Sequence, residues 1–390
     1  MAAGLTRRHG SAAAAALRRE LRHLRGDRGD RLLITLVPLL MLAVMAWLFS
    51  ASVMREVPIA VVDLDNSAQS RQLARMLDAS AGVSVASQPA TLQQAQQQLR
   101  RLEVFAVVLV PRDATRQALR GQQATVFSFY NATYLTTGQS AARDIADTVA
   151  AWNARLLAGR IGLQVGPGRL RAAPIAVQSD ILYNPARSYE LFLLPLIFPA
   201  LLSLLTALAC ACAVGREVRD GTVRRWLGHA PWAALLGKLL PYIVAGSLWS
   251  LLGLFYVSFV RGDGVAGSLV LLVLAQPLLH AASAAYAVLF VGLTRDMGTA
   301  LSTVGLTLGT ALAFSGATFP VIDAPLFTRV WNLLLPLTAY VKLQTQQLFV
   351  GAPWSVSLWP LLTLLLMTAV ACAVGGWRLM RSPPAPAGAP

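Results

Sequence analysis

Six stretches of this chain run for about the thickness of a bilayer without a single charge, and no other feature constrains its fold so tightly. A helix needs about 20 apolar residues to cross hydrocarbon, because every backbone amide must be satisfied there without water. Residues 32–53, 191–214 and 239–260 qualify outright, and uncharged runs at 264–294 and 297–322 supply a fourth and fifth span. The last uncharged run, 343–377, is long enough for a span at 356–377 preceded by an irregular segment. The first run is followed by Ser50-Ala51-Ser52, small residues of the kind a signal peptidase cuts. Its apolar core is too long and its leading segment too extended for a cleaved signal, so it reads as a retained anchor. Arg7-Arg8 lacks the rest of a twin-arginine signal.

Charge confirms the class. Only 13% of residues are charged, about half the share usual for soluble chains, which argues against a soluble enzyme. The net charge of +15 comes almost wholly from arginine, scattered between the apolar runs. Scattering of this kind reports membrane sidedness rather than nucleic-acid binding. Sixteen Lys and Arg residues fall on one side of the six-span layout: eight before the first span, then Arg216, Arg219, Arg224, Arg225, Lys238, Arg295, Arg378 and Arg381. The opposite short loops hold Arg261, Arg329 and Lys342, so both termini are expected in the cytoplasm. Before the first span, Leu17, Leu21 and Leu24 lie at helical spacing among arginines, a pattern suited to a helix resting in the inner interface on lipid phosphates. The alternative is a disordered basic tail.

Residues 54–190 form the large segment on the far side and read as a compact α/β domain. The β-rich runs 57–63, 82–87, 104–110 and 124–130 alternate with helical patterns at 65–80, 91–103, 112–120 and 134–159. That alternation predicts a largely parallel sheet covered on both faces. Asp63, Asp65 and Asn66 could suggest a divalent-cation site, but a strand end followed by a helix cap is the plainer reading. Asn131-Ala132-Thr133 matches a glycosylation acceptor, and the Gln-rich stretch 93–98 reads as a solvated helix face. The domain contains no histidine, so no Ser/His/Asp constellation is available, and it does not look catalytic. Cys210, Cys212 and Cys372 lie in apolar runs and offer neither a disulfide framework nor a zinc cluster.

The most informative loop is 215–231, GREVRDGTVRRWLGHAP. Glu217 and Asp220 precede Gly221-Thr222, and an amphipathic run then carries Arg224, Arg225 and Trp226. A short helix parallel to the membrane, with charges facing the cytoplasm, can receive force from a soluble partner. Ordinary positive-inside charge with a helix cap at Thr222 is the bland alternative. The loop resembles a feature of the ABC-2 type permeases of ATP-binding cassette exporters, in the branch with a large domain after the first span. Glu217-Val218-Arg219-Asp220-Gly221-Thr222 reproduces the family's E-x-x-x-G-T element. VVDLDNSAQSRQLARML, YNPARSYELFLLPLIFPALL (183–202), SGATFPVIDAP (315–325) and WNLLLPLTAYVKLQTQQLFVGAP (331–353) are similar to further family segments, in family order over nearly the whole chain. The chain departs at Pro195-Leu196, where members often have Pro-Gly, and at Arg219-Asp220, where many carry a second glutamate.

The resemblance implies a six-span helical integral membrane protein with an inserted extracytoplasmic α/β domain, in a bacterial inner membrane. The expected layout is a basic segment with an interfacial helix (1–31), span 1 (32–53), the α/β domain (54–190), a five-helix domain (191–377) and a cytoplasmic Pro/Ala-rich tail (378–390). The five-helix domain would contain the coupling loop 215–231 and an outer re-entrant segment 320–353. Contact with the ATPase is expected from Arg216, Glu217, Asp220, Gly221, Thr222, Arg224, Arg225 and Trp226. No G-x-x-x-x-G-K-[ST] motif occurs, so this chain is expected to bind no nucleotide by that route, with ATP and Mg on partner subunits. Expected partners are cassette subunits, a second permease copy or paralogue, membrane lipid and a periplasmic adaptor, with no nucleic acid. The substrate would be amphipathic or hydrophobic: a drug, lipid or glycan-linked compound.

Within the spans, His280 follows Gln276 by one helical turn, with Pro277 between them. The pair could line a substrate path, or form a hydrogen-bonded contact inside the bundle. Thr303, Thr307 and Thr310 share a face beside Gly305-x-x-x-Gly309, which favours helix packing over pathway lining. Pro195, Pro199, Pro241 and Pro277 should kink their helices. Two other classes compete: a membrane-anchored receptor with a ligand-binding outer domain, and a proton-driven carrier using His280. The first leaves the acidic Gly-Thr loop unexplained, and the second needs more buried ionisable groups and an inverted repeat.

Overall fold

The structure, a computed structural model, describes residues 2–50, 55–120, 125–130, 135–164, 188–262, 264–319 and 321–381. The chain divides into two units, Met1–Ser50 with Leu182–Pro390, and Ala51–Ile181. The first unit opens with helix α1 (Ala2–Gly26), followed by α2 (Arg28–Ile34) and α3 (Leu36–Leu48). Asp27 caps α2, its carboxylate accepting from the Asp30 amide at 3.1 Å. That hydrogen bond holds the Asp27 carboxyl below its ordinary range.

The second unit is an α/β sandwich built on four strands: β1 (Val57–Asp63), β2 (Val83–Ser87), β3 (Ala106–Val110) and β4 (Phe127–Tyr130). Their order is β2-β1-β3-β4, with β1 parallel to β2 and β3, and β4 antiparallel to β3. Alternate residues feed two layers, as the pleat requires. Ile59, Val61, Ala106 and Val108 pack with Leu73 and Leu77 of α4 (Ala68–Asp78). Ala60, Val62 and Val107 pack on the other face with Ala95 of α5 (Leu92–Arg100). Burial on both faces explains why β1 and β3 read as unbroken apolar runs. Gln93, Gln94, Gln96 and Gln97 line the solvent side of α5.

Asp63 spends its carboxylate on local structure. Oδ1 accepts the amides of Asp65 and Asn66 at 3.0 Å each, and Oδ2 accepts the Ser70 hydroxyl at 2.7 Å. Ser67 and Ser70 close a reciprocal capping box on α4, so the strand-end and helix-cap reading accounts for this acidic stretch. Helices α6 (Ala114–Arg120) and α7 (Leu135–Gln164) complete the unit; Ile145 and Trp152 of α7 join the α4 layer. The glycosylation pattern at 131–133 lies outside the described residues.

The first unit continues through α8 (Tyr189–Arg219), α9 (Val223–Leu227), α10 (Pro231–Phe255), α11 (Leu269–Thr294), α12 (Met297–Gly309), α13 (Ala311–Phe314), α14 (Leu326–Leu334), α15 (Pro336–Thr345) and α16 (Trp354–Met380). Single π turns follow α10 at Tyr256–Val260 and α15 at Gln346–Val350. Six helices or helix pairs are long and apolar enough to cross a membrane: Arg28–Leu48, Tyr189–Arg219, Pro231–Val260, Leu269–Thr294, Met297–Phe314 and Trp354–Met380. Their outward faces are apolar. Leu236, Leu240, Val244, Leu248 and Leu252 form an exposed stripe every fourth residue along α10, which only a hydrocarbon solvent favours on this scale.

The third span begins at Pro231, well before the first residue of its uncharged run, because Lys238 sits inside the helix. The fifth is short, at 18 residues. The segment 321–353 folds as a helix pair joined at Leu335-Pro336, with α14 exposed and α15 buried. Two prolines in α8 break the backbone ladder. Pro199 has no amide to give the Pro195 carbonyl, and the Gln344 side-chain amide of α15 fills that role at 2.6 Å.

Candidate functional site

The expected coupling residues separate into a buried set and an exposed set. At the end of α8, Glu217 turns inward and is 4% exposed. Its carboxylate accepts Lys238 Nζ of α10 at 3.0 Å, Arg19 of α1 at 3.0 Å and the Thr222 hydroxyl. Gly221 makes the turn possible: its φ of 65° suits a residue without Cβ. The Thr222 amide then returns to the Glu217 carbonyl at 2.9 Å. Thr222 starts α9, which buries Val223, Trp226 and Leu227 and turns Arg224 and Arg225 outward. Arg219, Asp220 and Gly221 are exposed beside them, with Arg219 paired to Asp220 at 3.0 Å. The Lys238 ammonium lies 5.2 Å from the Trp226 ring centroid, a cation–π contact that seats α9 on α10.

Beneath this loop lies an ionic cluster drawn from four helices, α1, α2, α8 and α10. Glu20 of α1 is 2% exposed. It accepts Lys238 Nζ at 2.7 Å, Arg216 Nη2 at 2.7 Å and the Tyr242 hydroxyl at 2.7 Å. Arg216 also pairs with Asp30 of α2, whose carboxylate meets His23 Nε2 at 3.1 Å. Glu20, Glu217 and Asp30 thus face Arg19, Arg216 and Lys238. Charges taken out of water need this pairing, since each would otherwise cost several kcal/mol. Helix α1 reaches α10 because Gly237 lacks a side chain: a Cβ there would stand 2.2 Å from the Ala13 carbonyl oxygen. His23, Asp27 and Asp30 lie close enough together to consider a metal site. Asp30 is already committed to Arg216, however, and the three belong to the ionic cluster.

Helix α1 docks on the bundle through Ala16, Glu20 and Leu24, while Leu21 is exposed. Its ion pairs hold Glu20 on the inward side.

The intramembrane residues also resolve. His280 is fully buried, with Nδ1 2.8 Å from Thr206 Oγ1 of α8 and Nε2 2.7 Å from Ser250 Oγ of α10. The Thr206 hydroxyl also lies 2.9 Å from the Leu202 carbonyl oxygen. The imidazole is thereby held at both nitrogens and ties three helices together. His280 is not alone among ionisable groups in the helices. Glu190, in the first turn of α8, is held by Arg261 at 2.5 Å and by the Tyr256 hydroxyl at 3.2 Å. Gln276 donates to the Tyr340 hydroxyl at 2.6 Å, while its buried Oε1 has no hydrogen-bond partner among the described residues. Thr303 and Thr310 bond back to their own helix, at 2.8 Å to Thr299 O and 2.9 Å to Leu306 O. Thr307 is buried against the bundle. Among the described residues, a Cβ on Gly305 would touch nothing within 4 Å, and one on Gly309 would reach only Leu204, at 4.0 Å.

Six membrane-capable helices, with a charged loop locked onto one end of the bundle, make the architecture of a multi-pass membrane protein. Residues 31–377 match the family model described as "ABC-2 family transporter protein", and the chain belongs to that family. It is similar to the "Probable multidrug ABC transporter permease YbhS" of Escherichia coli K12, 26% identical over 180 residues. The match takes in 45% of this chain and 48% of that protein, and the O157:H7 counterpart matches equally. The chain therefore spans about half the length of the curated relatives it matches. No solved structure matches it.

Proposed function

We propose that this chain is the permease of an ABC exporter, moved by ATP and Mg chemistry on separate cassette subunits and carrying an amphipathic or hydrophobic compound outward. The observation that carries this reading is the surface formed by Arg219, Asp220, Gly221, Arg224 and Arg225. It is exposed and charged, yet Glu217, Trp226 and Lys238 fix it to α1, α8 and α10. A push on such a knob reaches three helices at once, whereas a floppy loop would absorb it. Both termini then lie in the cytoplasm of a bacterial inner membrane, and the α/β unit lies outside, where it could meet an adaptor. A second permease copy completes the transporter, with the open space beside Gly305 of α12 available to it. The multidrug designation of the E. coli relative supports a drug-like amphipath over a polar cargo.

The test reverses one exposed arginine of α9, Arg225→Glu. Its side chain is exposed, so the thermal midpoint of the purified chain should stay within about 2 °C, as surface substitutions usually leave it. Permease-stimulated ATPase activity of the cassette subunits should fall at least tenfold. Unchanged stimulation would remove this loop from the coupling path.

A further inference from the structure

At the end of the bundle where α9 touches α16, three arginines make no ion pair with any described residue: Arg295, just past α11, and Arg378 and Arg381, at the end of α16. They gather around one indole. The Arg381 guanidinium lies 4.0 Å from the Trp377 ring centroid, and that of Arg378 lies 5.8 Å from it. Arg295 Nη2 comes within 3.5 Å of the Arg381 carbonyl oxygen. Asp296, next in the chain, spends its carboxylate on the Thr299 amide at 2.6 Å. All three arginines and Trp377 are exposed. Like charges held together without a counter-ion repel one another. Stacking on an aromatic face orders a guanidinium yet leaves the N–H donors in its plane free, in the fork that fits a phosphate.

Along the helix from these arginines, α16 is uncovered. Leu366, Val370, Val374 and Trp377 are exposed at helical spacing and form one stripe that ends at Arg381. Trp232 of α10 lies against Gly376, where a Cβ would stand 2.5 Å from its ring, so two exposed indoles mark the level at which α16 leaves hydrocarbon. A free anion would use the arginines and ignore the stripe, and plain hydrocarbon would do the opposite. We propose that Arg295, Arg378 and Arg381 bind the phosphate of an anionic phospholipid, whose acyl chains lie along Leu366, Val370 and Val374. A zwitterionic headgroup brings its own cation to the phosphate, and the arginines repel that cation. The bound lipid ties the ends of α11 and α16 to one headgroup. This rests on the permease reading, which puts that end of α16 at the cytoplasmic leaflet.

The experiment uses the full chain in phosphatidylcholine nanodiscs, without nucleotide or cassette subunits. Phosphatidylglycerol or phosphatidylcholine with a diazirine near the head of one acyl chain is added at the same small mole fraction, and labelled peptides are mapped by mass spectrometry. Phosphatidylglycerol should label residues 370–381 ahead of phosphatidylcholine by at least about fivefold, the worth of a single arginine at a membrane surface. Unlabelled phosphatidylglycerol should compete. Arg378→Gln with Arg381→Gln should erase the preference and leave labelling by phosphatidylcholine unchanged, which a misfolded chain would not do. Arg18→Gln with Arg22→Gln, which removes as much charge from α1, should keep the preference. Its loss in both variants would assign the effect to overall surface potential and overturn the site. Equal labelling by the two lipids in the unaltered chain would overturn it too, and a loss of cassette binding in the Arg378 and Arg381 variant would then give the surface to the cassette. So would displacement of phosphatidylglycerol by millimolar inorganic phosphate, which would make the arginines a free-anion site. Because no motor is present, a chain that shows the preference but never responds to cassettes would sink the permease reading and spare this site. A driven chain without the preference would do the reverse.

Discussion

At the scale of single residues, Lys238 is the keystone of the cytoplasmic end. It is buried between Glu20 and Glu217, so Lys238→Met leaves two buried carboxylates with no cation between them. The expected loss is about 3 kcal/mol, the usual consequence of breaking a buried pair from one side. Adding Glu20→Gln should recover a good part of it, because the uncompensated charge goes with the carboxylate. Thermal unfolding of the single and double variants in one detergent checks this; equal destabilisation by both would show that packing, not charge, sets the cost. Asp296 makes a separate case. As the cap of α12 it accepts the Thr299 amide at 2.6 Å, and that bond holds its carboxyl below the ordinary range. A lowered folded-state value means stability that is present above the unfolded value and lost as pH falls through the folded one. The stability gap between the unaltered chain and Asp296→Asn should hold at neutral pH and shrink once pH drops below about 4; a gap that widens in acid would contradict the assignment. Some of this was visible beforehand. Glu20 is the lone acid in the first 26 residues, amid six arginines, and Lys238 is one of two lysines in the chain. What the sequence could not show is that they meet, since 218 positions separate them and no periodicity marks an inward-facing charge.

At the scale of elements, proline and glutamine act as a pair. Pro199 frees the Pro195 carbonyl, and Gln344 occupies it from a different helix. Gln344→Leu should therefore cost about 1–3 kcal/mol, the penalty for an orphaned buried acceptor. In a Pro199→Ala background residue 199 regains its amide, and the cost of Gln344→Leu should fall to well under half. A double-mutant cycle in thermal unfolding reads the difference, and strict additivity would mean that Gln344 serves only as packing. The missing amide at Pro199 is legible because proline chemistry is local. Its partner is not, because α15 is identified only as an irregular outer segment and nothing in QTQQ says which glutamine turns inward. The six spans are legible for the same reason as the missing amide: apolar length is a local property. Their ends are less so, and the start of α10 shows why. A paired lysine can sit inside a helix that a charge count would begin after it.

At the scale of the whole molecule, the chain joins a helical bundle to an α/β sandwich, and its chemistry is that of a moved part. Its ionic cluster sets Arg19, Arg216 and Lys238 against Glu20, Glu217 and Asp30, its buried imidazole is bonded at both nitrogens, and Arg261 with the Tyr256 hydroxyl holds Glu190 at the opposite end. These contacts lock helices to one another, which on the proposed reading would share force applied at α9. That reading draws its energy from a partner, and this is open to direct measurement. The purified chain, reconstituted in vesicles with and without a cassette subunit, can be assayed for ATP hydrolysis and for movement of a fluorescent amphipath. The account predicts neither activity from the chain alone, and ATP-dependent transport once the cassette subunit is added. Hydrolysis by the isolated chain, or ATP-independent uphill transport in its vesicles, would contradict it.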